Sequence, residues 1–82
     1  MPKRKKAVNN HPSPLDGQIG QRIKARRIEK GLSQEEIAKV VGVSTQQVQK
    51  YEYGTNSMRP SRLLKLCAAL EVTPHWLLGF KE

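Results

Sequence analysis

Four side chains with hydrogen-bonding ends recur at helical spacing between residues 44 and 53. They are Gln46, Gln49, Lys50 and Tyr53. At 100° per residue they lie on one side of a helix, opposite the apolar Val48 and Tyr51. A glutamine amide can pair with N6 and N7 of adenine, and a lysine can donate to O6 and N7 of guanine, each contact discriminating by about 1–3 kcal/mol. The same side chains also suit a solvated helix surface, so both interpretations stay open at this point.

The polar face needs a helix that is held against a second one, and the sequence supplies both. Ser33 and Glu36 form a capping-box pattern that begins a helix of about eight residues, which ends at Gly42. Ser44 and Gln47 repeat that pattern at the start of the helix that carries the polar face. The connection is too short for an antiparallel hairpin and favours the steep crossing of a helix-turn-helix.

Three positions have a mechanical role in this crossing. Ala38 is small where the two helices come closest, Gly42 can adopt the positive φ of the turn, and Val48 packs the third helix onto the second. We expect a bulky residue at Ala38 or Gly42 to break the geometry.

The other helical blocks complete an all-α, five-helix domain over residues 15–82. The first block is expected to begin at Asp16 as N-cap, the fourth near Pro60, and the fifth after Thr73 as N-cap. Residues 1–14 combine three prolines with few apolar side chains and are expected to form a flexible arm.

The chain has a formal net charge of +8, from 15 lysines and arginines against 7 acids. Such a charge fits nucleic acid, an anionic membrane surface or an acidic protein as partner. Half of it lies on the arm, at Lys3, Arg4, Lys5 and Lys6, and +4 remains for the rest. The arm residues are expected either to follow the DNA groove and backbone or to serve as a solubilising tail.

Composition argues against catalysis and cofactors. The single cysteine, Cys67, allows no intrachain disulfide and is expected to fill the core rather than sense redox, and His11 and His75 are too far apart in sequence to form a ligand pair. His75 fits a surface or interface role better than catalysis. No apolar run approaches about 18 residues. We therefore expect a cytoplasmic protein, associated with the nucleoid when bound to DNA, with no enzyme activity, metal, cofactor, membrane span or separate small-molecule domain.

Two charges fall on faces that are otherwise predicted to be buried. Arg27 continues the stripe formed by Ile19 and Ile23, and Glu52 lies beside Val48. A charge in either place requires a partner.

Two segments resemble the helix-turn-helix of the Cro and phage-repressor group, also called the xenobiotic-response-element group of bacterial regulators. They are residues 32–54, LSQEEIAKVVGVSTQQVQKYEYG, and residues 66–79, LCAALEVTPHWLLG. The resemblance covers roughly residues 19–80 and places the motif at about 33–53. It implies a lambda-repressor-like DNA-binding fold whose third helix docks in the major groove, usually as a dimer on a palindromic operator.

The resemblance also implies roles for individual residues. Gln34 matches the position at the start of the second helix that contacts phosphate. Four positions of the recognition helix that reach base edges or flanking phosphates are matched by Ser44, Thr45, Gln46 and Lys50. The family pairs an arginine of the first helix with a glutamate of the third, which here are Arg27 and Glu52.

The loop after the third helix, residues 55–58, lacks the lysines that are often found there in the family. We expect phosphate contacts from Asn56, Arg59 and Arg62 instead. For Tyr53 two interpretations stay open, a hydroxyl bond to phosphate or simple packing.

The last helix is unusually apolar for its length. Leu77, Leu78 and Phe80 either form part of a dimer interface or close the core against the first and fourth helices. The function that the sequence favours is a homodimeric regulator of transcription, acting as a repressor on duplex DNA. The alternative is an antitoxin or adaptor-type protein-interaction module with secondary DNA binding.

Overall fold

The computed structural model describes residues 13–80, and this part of the chain contains five α-helices and no strand. The helices are α1 (Pro14–Glu29), α2 (Gln34–Val41), α3 (Thr45–Tyr53), α4 (Pro60–Leu70) and α5 (Pro74–Leu78). The predicted all-α, five-helix architecture is therefore confirmed. The arm residues Lys3, Arg4, Lys5 and Lys6 lie outside the described residues.

The predicted capping box is present at α2, and at α3 Ser44 is the N-cap, whereas the predicted N-cap of α1 is wrong. At α2, the Glu36 N–H donates to Ser33 Oγ at 3.0 Å, and the Ser33 N–H donates to Glu36 Oε1 at 2.8 Å. At α1 the N-cap is Ser13 rather than Asp16, and the Ser13 N–H donates to Asp16 Oδ2 at 2.8 Å. Asp16 is thus the acidic partner in a capping box, and Pro14 occupies the first turn, where a missing N–H has no cost.

The core is apolar and is shared by all five helices. Its fully buried large side chains are Ile23, Ile37, Val48, Leu66, Leu70 and Leu77. Cys67 is buried among them, as expected of a core residue. α1 lies against α3, α4 and α5, whereas α2 packs on α3 and α4. None of the helices in the described part is long and apolar enough to cross a membrane.

The three apolar residues of the last segment separate into different environments. Leu77 has no exposed surface and belongs to the core, so its proposed place in a dimer interface is wrong. Leu78 is half-buried against the core, and Phe80 remains 61% exposed. A helix of only five residues offers few inward-facing positions, and in α5 Leu77 occupies the buried one.

Arginines of α1 bind the ends of the last two helices. Arg26 Nε donates to the Leu70 carbonyl at 2.9 Å, and Arg22 Nη1 donates to the Leu77 carbonyl at 3.4 Å. Leu70 is the last residue of α4 and Leu77 lies in the last turn of α5, where backbone acceptors lack partners and positive charge is favourable.

Candidate nucleic-acid interface

The turn between α2 and α3 has the geometry that the sequence predicts. The Gly42 and Val43 N–H groups both donate to the Ala38 carbonyl, at 2.8 and 3.0 Å, and Gly42 has a φ of 86°. Ala38 and Val48 are buried. A Cβ on Gly42 would meet no atom within 4 Å. The constraint at Gly42 is therefore its left-handed backbone, where any side chain is strained, and not a lack of space for a Cβ.

The crossing of α1 and α3 depends on a glycine that the sequence analysis did not single out. A Cβ on Gly20 would lie 2.3 Å from the Tyr51 carbonyl oxygen and 2.5 Å from that of Glu52. The two backbones can approach this closely only without a side chain at residue 20. The available signal was a glycine in the middle of a helix, which costs about 1 kcal/mol relative to alanine and requires a reason.

Arg27 and Glu52 form an ion pair at this crossing. Arg27 Nε donates to Glu52 Oε2 at 2.6 Å and Nη2 donates to Oε1 at 3.2 Å. Arg27 Nη1 also donates to the Leu32 carbonyl at 2.9 Å. Only 3% of the Glu52 side chain is exposed, so α3 is tied to α1 by a charge-assisted contact that water barely reaches.

The ion pair extends to the protein surface through two glutamines. Gln34 Nε2 donates to Glu52 Oε1 at 2.9 Å, and Gln49 Nε2 donates to Gln34 Oε1 at 3.3 Å. Gln34, expected to contact phosphate, is therefore also a connection between the buried carboxylate and the outward face of α3. Sequence spacing gave no signal for this connection, because the two glutamines belong to different helices.

The outward face of α3 is exposed and carries no acid. Gln46, Gln49 and Lys50 are exposed, and Tyr53 is 77% exposed. The helix contains one acidic residue, Glu52, and it is buried. The face therefore offers amides, an amine and a phenol to a partner rich in acceptors.

The beginning of α3 is fixed more tightly than the rest of the face. Ser44 Oγ accepts from the Gln47 N–H at 3.1 Å and caps the helix. Thr45 is half-buried. A hydroxyl engaged as a helix cap keeps its own proton for a further acceptor, so Ser44 can still donate to a bound anion.

The three residues expected to contact phosphate beyond α3 have different surroundings. Asn56 and Arg59 are exposed, whereas Arg62 is half-buried and its Nη1 donates to the Tyr51 hydroxyl at 3.2 Å. The loop itself is held to α1 by a bond that sequence reasoning missed, from Ser57 Oγ to Asp16 Oδ2 at 3.1 Å.

Within residues 13–80, no three His, Cys, Asp or Glu side chains come together as metal ligands. Burial raises the pKa of the Cys67 thiol, which disfavours the reactive thiolate. His75 is exposed, and its ring lies 5.2 Å from that of Phe80.

Comparison with known proteins gives matches over the same region. The helix-turn-helix family model matches residues 23–77. An uncharacterized HTH-type transcriptional regulator of Sinorhizobium medicae (strain WSM419) is 44% identical over 61 residues, which is 74% of this chain and 44% of the relative. The chain thus spans less than half the length of that relative.

Two solved structures have the same fold and contain DNA. The P22 c2 repressor, in complex with a synthetic operator, has a TM-score of 0.72 and 33% identity, over 77% of this chain and 96% of the repressor chain in that structure. SinR of Bacillus subtilis, a master regulator for biofilm formation, was solved in complex with DNA and has a TM-score of 0.69 and 39% identity. That match covers 74% of this chain and 98% of the SinR chain in that structure.

Proposed function

The chain belongs to the helix-turn-helix family of transcriptional regulators, and from this premise we propose that it binds a specific duplex DNA site with α3 in the major groove. The observation that carries the proposal is the exposed, acid-free face of α3 on a helix held rigidly from beneath by Arg27 and Glu52. A rigid helix that presents donors and acceptors is what base readout requires.

The residues of this face have separate roles in the proposal. Gln46, Gln49 and Lys50 contact base edges, because they are exposed and have amide or ammonium ends. Ser44, Thr45 and Tyr53 contact the flanking backbone. Further phosphate contacts come from Gln34, Asn56, Arg59 and Arg62, with the Arg62 contribution limited by its bond to Tyr51.

The structural neighbours support the proposed mode of binding. The P22 c2 repressor is similar in fold to this chain and binds an operator, and SinR binds DNA. By analogy we propose a homodimer on a palindromic operator, with half-sites about one helical turn apart. Occupation of such a site by a repressor blocks polymerase.

For the dimer contact we propose the exposed Phe80 together with the half-buried Leu78. Sedimentation of the wild-type chain and of Phe80→Asp tests this assignment. A dimer that Phe80→Asp converts to monomer supports it, and an unchanged dimer places the contact elsewhere.

The basic arm is proposed to add affinity without sequence preference. Each phosphate neutralised by Lys3, Arg4, Lys5 or Lys6 steepens the salt dependence by about 0.9 in log K per decade of salt. Deleting residues 1–12 should weaken binding and flatten that dependence while the preferred sequence stays the same. A changed sequence preference would mean that the arm reads bases.

Selection of bound sequences from a random duplex pool tests the main proposal. The wild-type chain should enrich one symmetric site, and Lys50→Ala should relax one position in each half-site. Lys24→Ala removes the same charge from an exposed position on α1 and should leave the site unchanged. If the wild-type chain enriches no sequence at low salt, the proposal is wrong and the protein-interaction module is favoured.

A further inference from the structure

We propose that Gln34 determines which base pair Gln49 prefers, because Gln34 fixes the direction of the Gln49 side-chain amide. This inference rests on the proposed binding of α3 to DNA. It makes Gln34 a positioning residue for sequence readout, in addition to any contact it makes with phosphate.

The direction of the Gln34 amide follows from the chemistry of the ion pair. An arginine has only donors and a carboxylate only acceptors. With Arg27 bound to both oxygens of Glu52, the group that Gln34 presents to Oε1 must be its NH2, and the distance is 2.9 Å. The Gln34 carbonyl oxygen, Oε1, is therefore left facing the outer surface.

The same reasoning determines the direction of the Gln49 amide. Gln34 Oε1 only accepts, so Gln49 must present its own NH2 there, and Nε2 lies 3.3 Å from that oxygen. One N–H of Gln49 is consumed by this bond. The carbonyl oxygen of Gln49 and its second N–H remain for the groove, since the residue is exposed.

An acceptor beside a donor matches adenine rather than guanine. Adenine presents the N6 donor next to the N7 acceptor in the major groove, whereas guanine presents two acceptors, O6 and N7. A glutamine free to rotate could turn its NH2 toward guanine. Held by Gln34, Gln49 is expected to prefer an A·T pair over a G·C pair.

A lysine at residue 34 should invert this preference. Lysine has only donors, so in Gln34→Lys the ammonium can bind Glu52 and will repel the NH2 of Gln49. The Gln49 amide should then turn its oxygen to the lysine and its NH2, with two N–H groups, to the groove. Guanine becomes the favoured base.

The experiment is selection from a random duplex pool with the full 82-residue chain. Gln49→Ala identifies the position that Gln49 contacts, as the one where preference is lost. At that position the wild-type chain should favour A·T, Gln34→Lys should favour G·C, and the ratio of the two should change about tenfold. Gln34→Met, which removes the acceptor, should bring the ratio close to one.

Two controls keep the outcomes distinct. Gln21→Lys makes the same change on the exposed side of α1, beside Trp76, and should retain the wild-type preference. Circular dichroism checks that each variant is folded. A G·C preference in the wild-type chain overturns the inference without any variant, and so does an unchanged preference in a folded Gln34→Lys. If the wild-type chain selects no site, the proposed function itself fails, and the inference fails with it.

Discussion

The two contacts that seat α3 each contain a glycine, and the two glycines meet different physical requirements. In the α1–α3 crossing, a Cβ on Gly20 would lie 2.3 Å from a backbone oxygen of α3. In the α2–α3 turn, Gly42 has a φ of 86° and open space where its Cβ would be. The first position is limited by space and the second by backbone conformation.

This difference indicates which contact sets the position of α3. Beyond the close backbone approach, the α1–α3 crossing contains the Arg27–Glu52 ion pair, so it combines steric and electrostatic constraints. The α2–α3 turn consists of local backbone bonds and a small buried side chain, Ala38. We therefore expect substitutions at the crossing to cost more stability than substitutions at the turn.

Loss of the buried carboxylate should have the largest effect. Glu52→Ala leaves Arg27 without its partner in a mostly buried position, and breaking a buried pair costs about 3–5 kcal/mol. Small domains have a free energy of unfolding of only about 5–15 kcal/mol, so urea denaturation should show a large shift of the midpoint. Glu29→Ala, which breaks an exposed pair with Arg26, should cost at most about 1 kcal/mol. Equal midpoints for Glu52→Ala and the wild-type chain would contradict this account of the crossing.

Adding one methyl group at the crossing should have the second largest effect. Gly20→Ala forces the backbones of α1 and α3 apart, and such overpacking costs about 1–3 kcal/mol or more. Gly17→Ala is the matched control, because its Cβ would meet no atom within 4 Å. Since alanine favours a helix over glycine by about 1 kcal/mol, the control should be neutral or stabilising. The midpoint of thermal unfolding should therefore fall for Gly20→Ala and stay the same or rise for Gly17→Ala. A stabilising Gly20→Ala would show that the crossing has room for a side chain at residue 20.

At the turn, substitutions should cost less stability, and the cost should come from the backbone conformation of residue 42. Gly42→Ala places a side chain at positive φ, for about 1–2 kcal/mol, without any clash. Gly42→Asn should cost less, because asparagine tolerates the left-handed region. Both variants should retain the DNA sequence preference of the wild-type chain. If Gly42→Ala lowers the free energy of unfolding by more than about 3 kcal/mol, the turn is sterically confined after all.

The sequence predicted the turn better than the crossing because the signals of the turn are local. Ser33, Glu36 and Gly42 act on neighbouring residues, so their spacing alone indicates where α2 begins and ends. Gly20 contacts carbonyls more than thirty positions away in the chain, and spacing carries no information about such a meeting. The charges at Arg27 and Glu52 were detectable because periodicity placed both on apolar faces, although the pairing itself came from resemblance to the family.

The errors at the two ends of the domain have a related cause. Ser13 and Asp16 are both good N-caps, and their roles are decided by which backbone N–H each one meets. α5 has only five residues, too few for periodicity to show that Leu77 is buried, and the exposed Phe80 lies beyond the helix, where periodicity does not apply. The candidate interface was predicted by residue type, whereas the bonds from Gln34 to Glu52 and Gln49 required coordinates.

Acid titration provides the smallest test, at the start of α2. The Ser33 N–H and hydroxyl hold the pKa of Glu36 below its ordinary value of 4.5. Because the folded pKa is the lower one, the stabilisation is present above pH 4.5 and is lost as the pH falls through the folded pKa. Glu36→Gln keeps a hydrogen-bonding capping residue but does not titrate, so its stability should fall less than that of the wild-type chain between pH 5 and about pH 3.

A second glutamate separates the local bond from simple charge attraction. Hydrogen bonding and attraction from Lys30 lower the pKa of Glu71. Salt at about 1 M shortens the Debye length to about 3 Å and should weaken the exposed ion pair of Glu71. The effect of Glu36→Gln on the loss of stability at acid pH should therefore persist in high salt, whereas the effect of Glu71→Gln should become smaller. If high salt removes both effects equally, Glu36 stabilises the start of α2 through its charge and not through its hydrogen bonds. The contrast between the α2–α3 turn, held by local hydrogen bonds, and the α1–α3 crossing, held partly by an ion pair, would then be weaker.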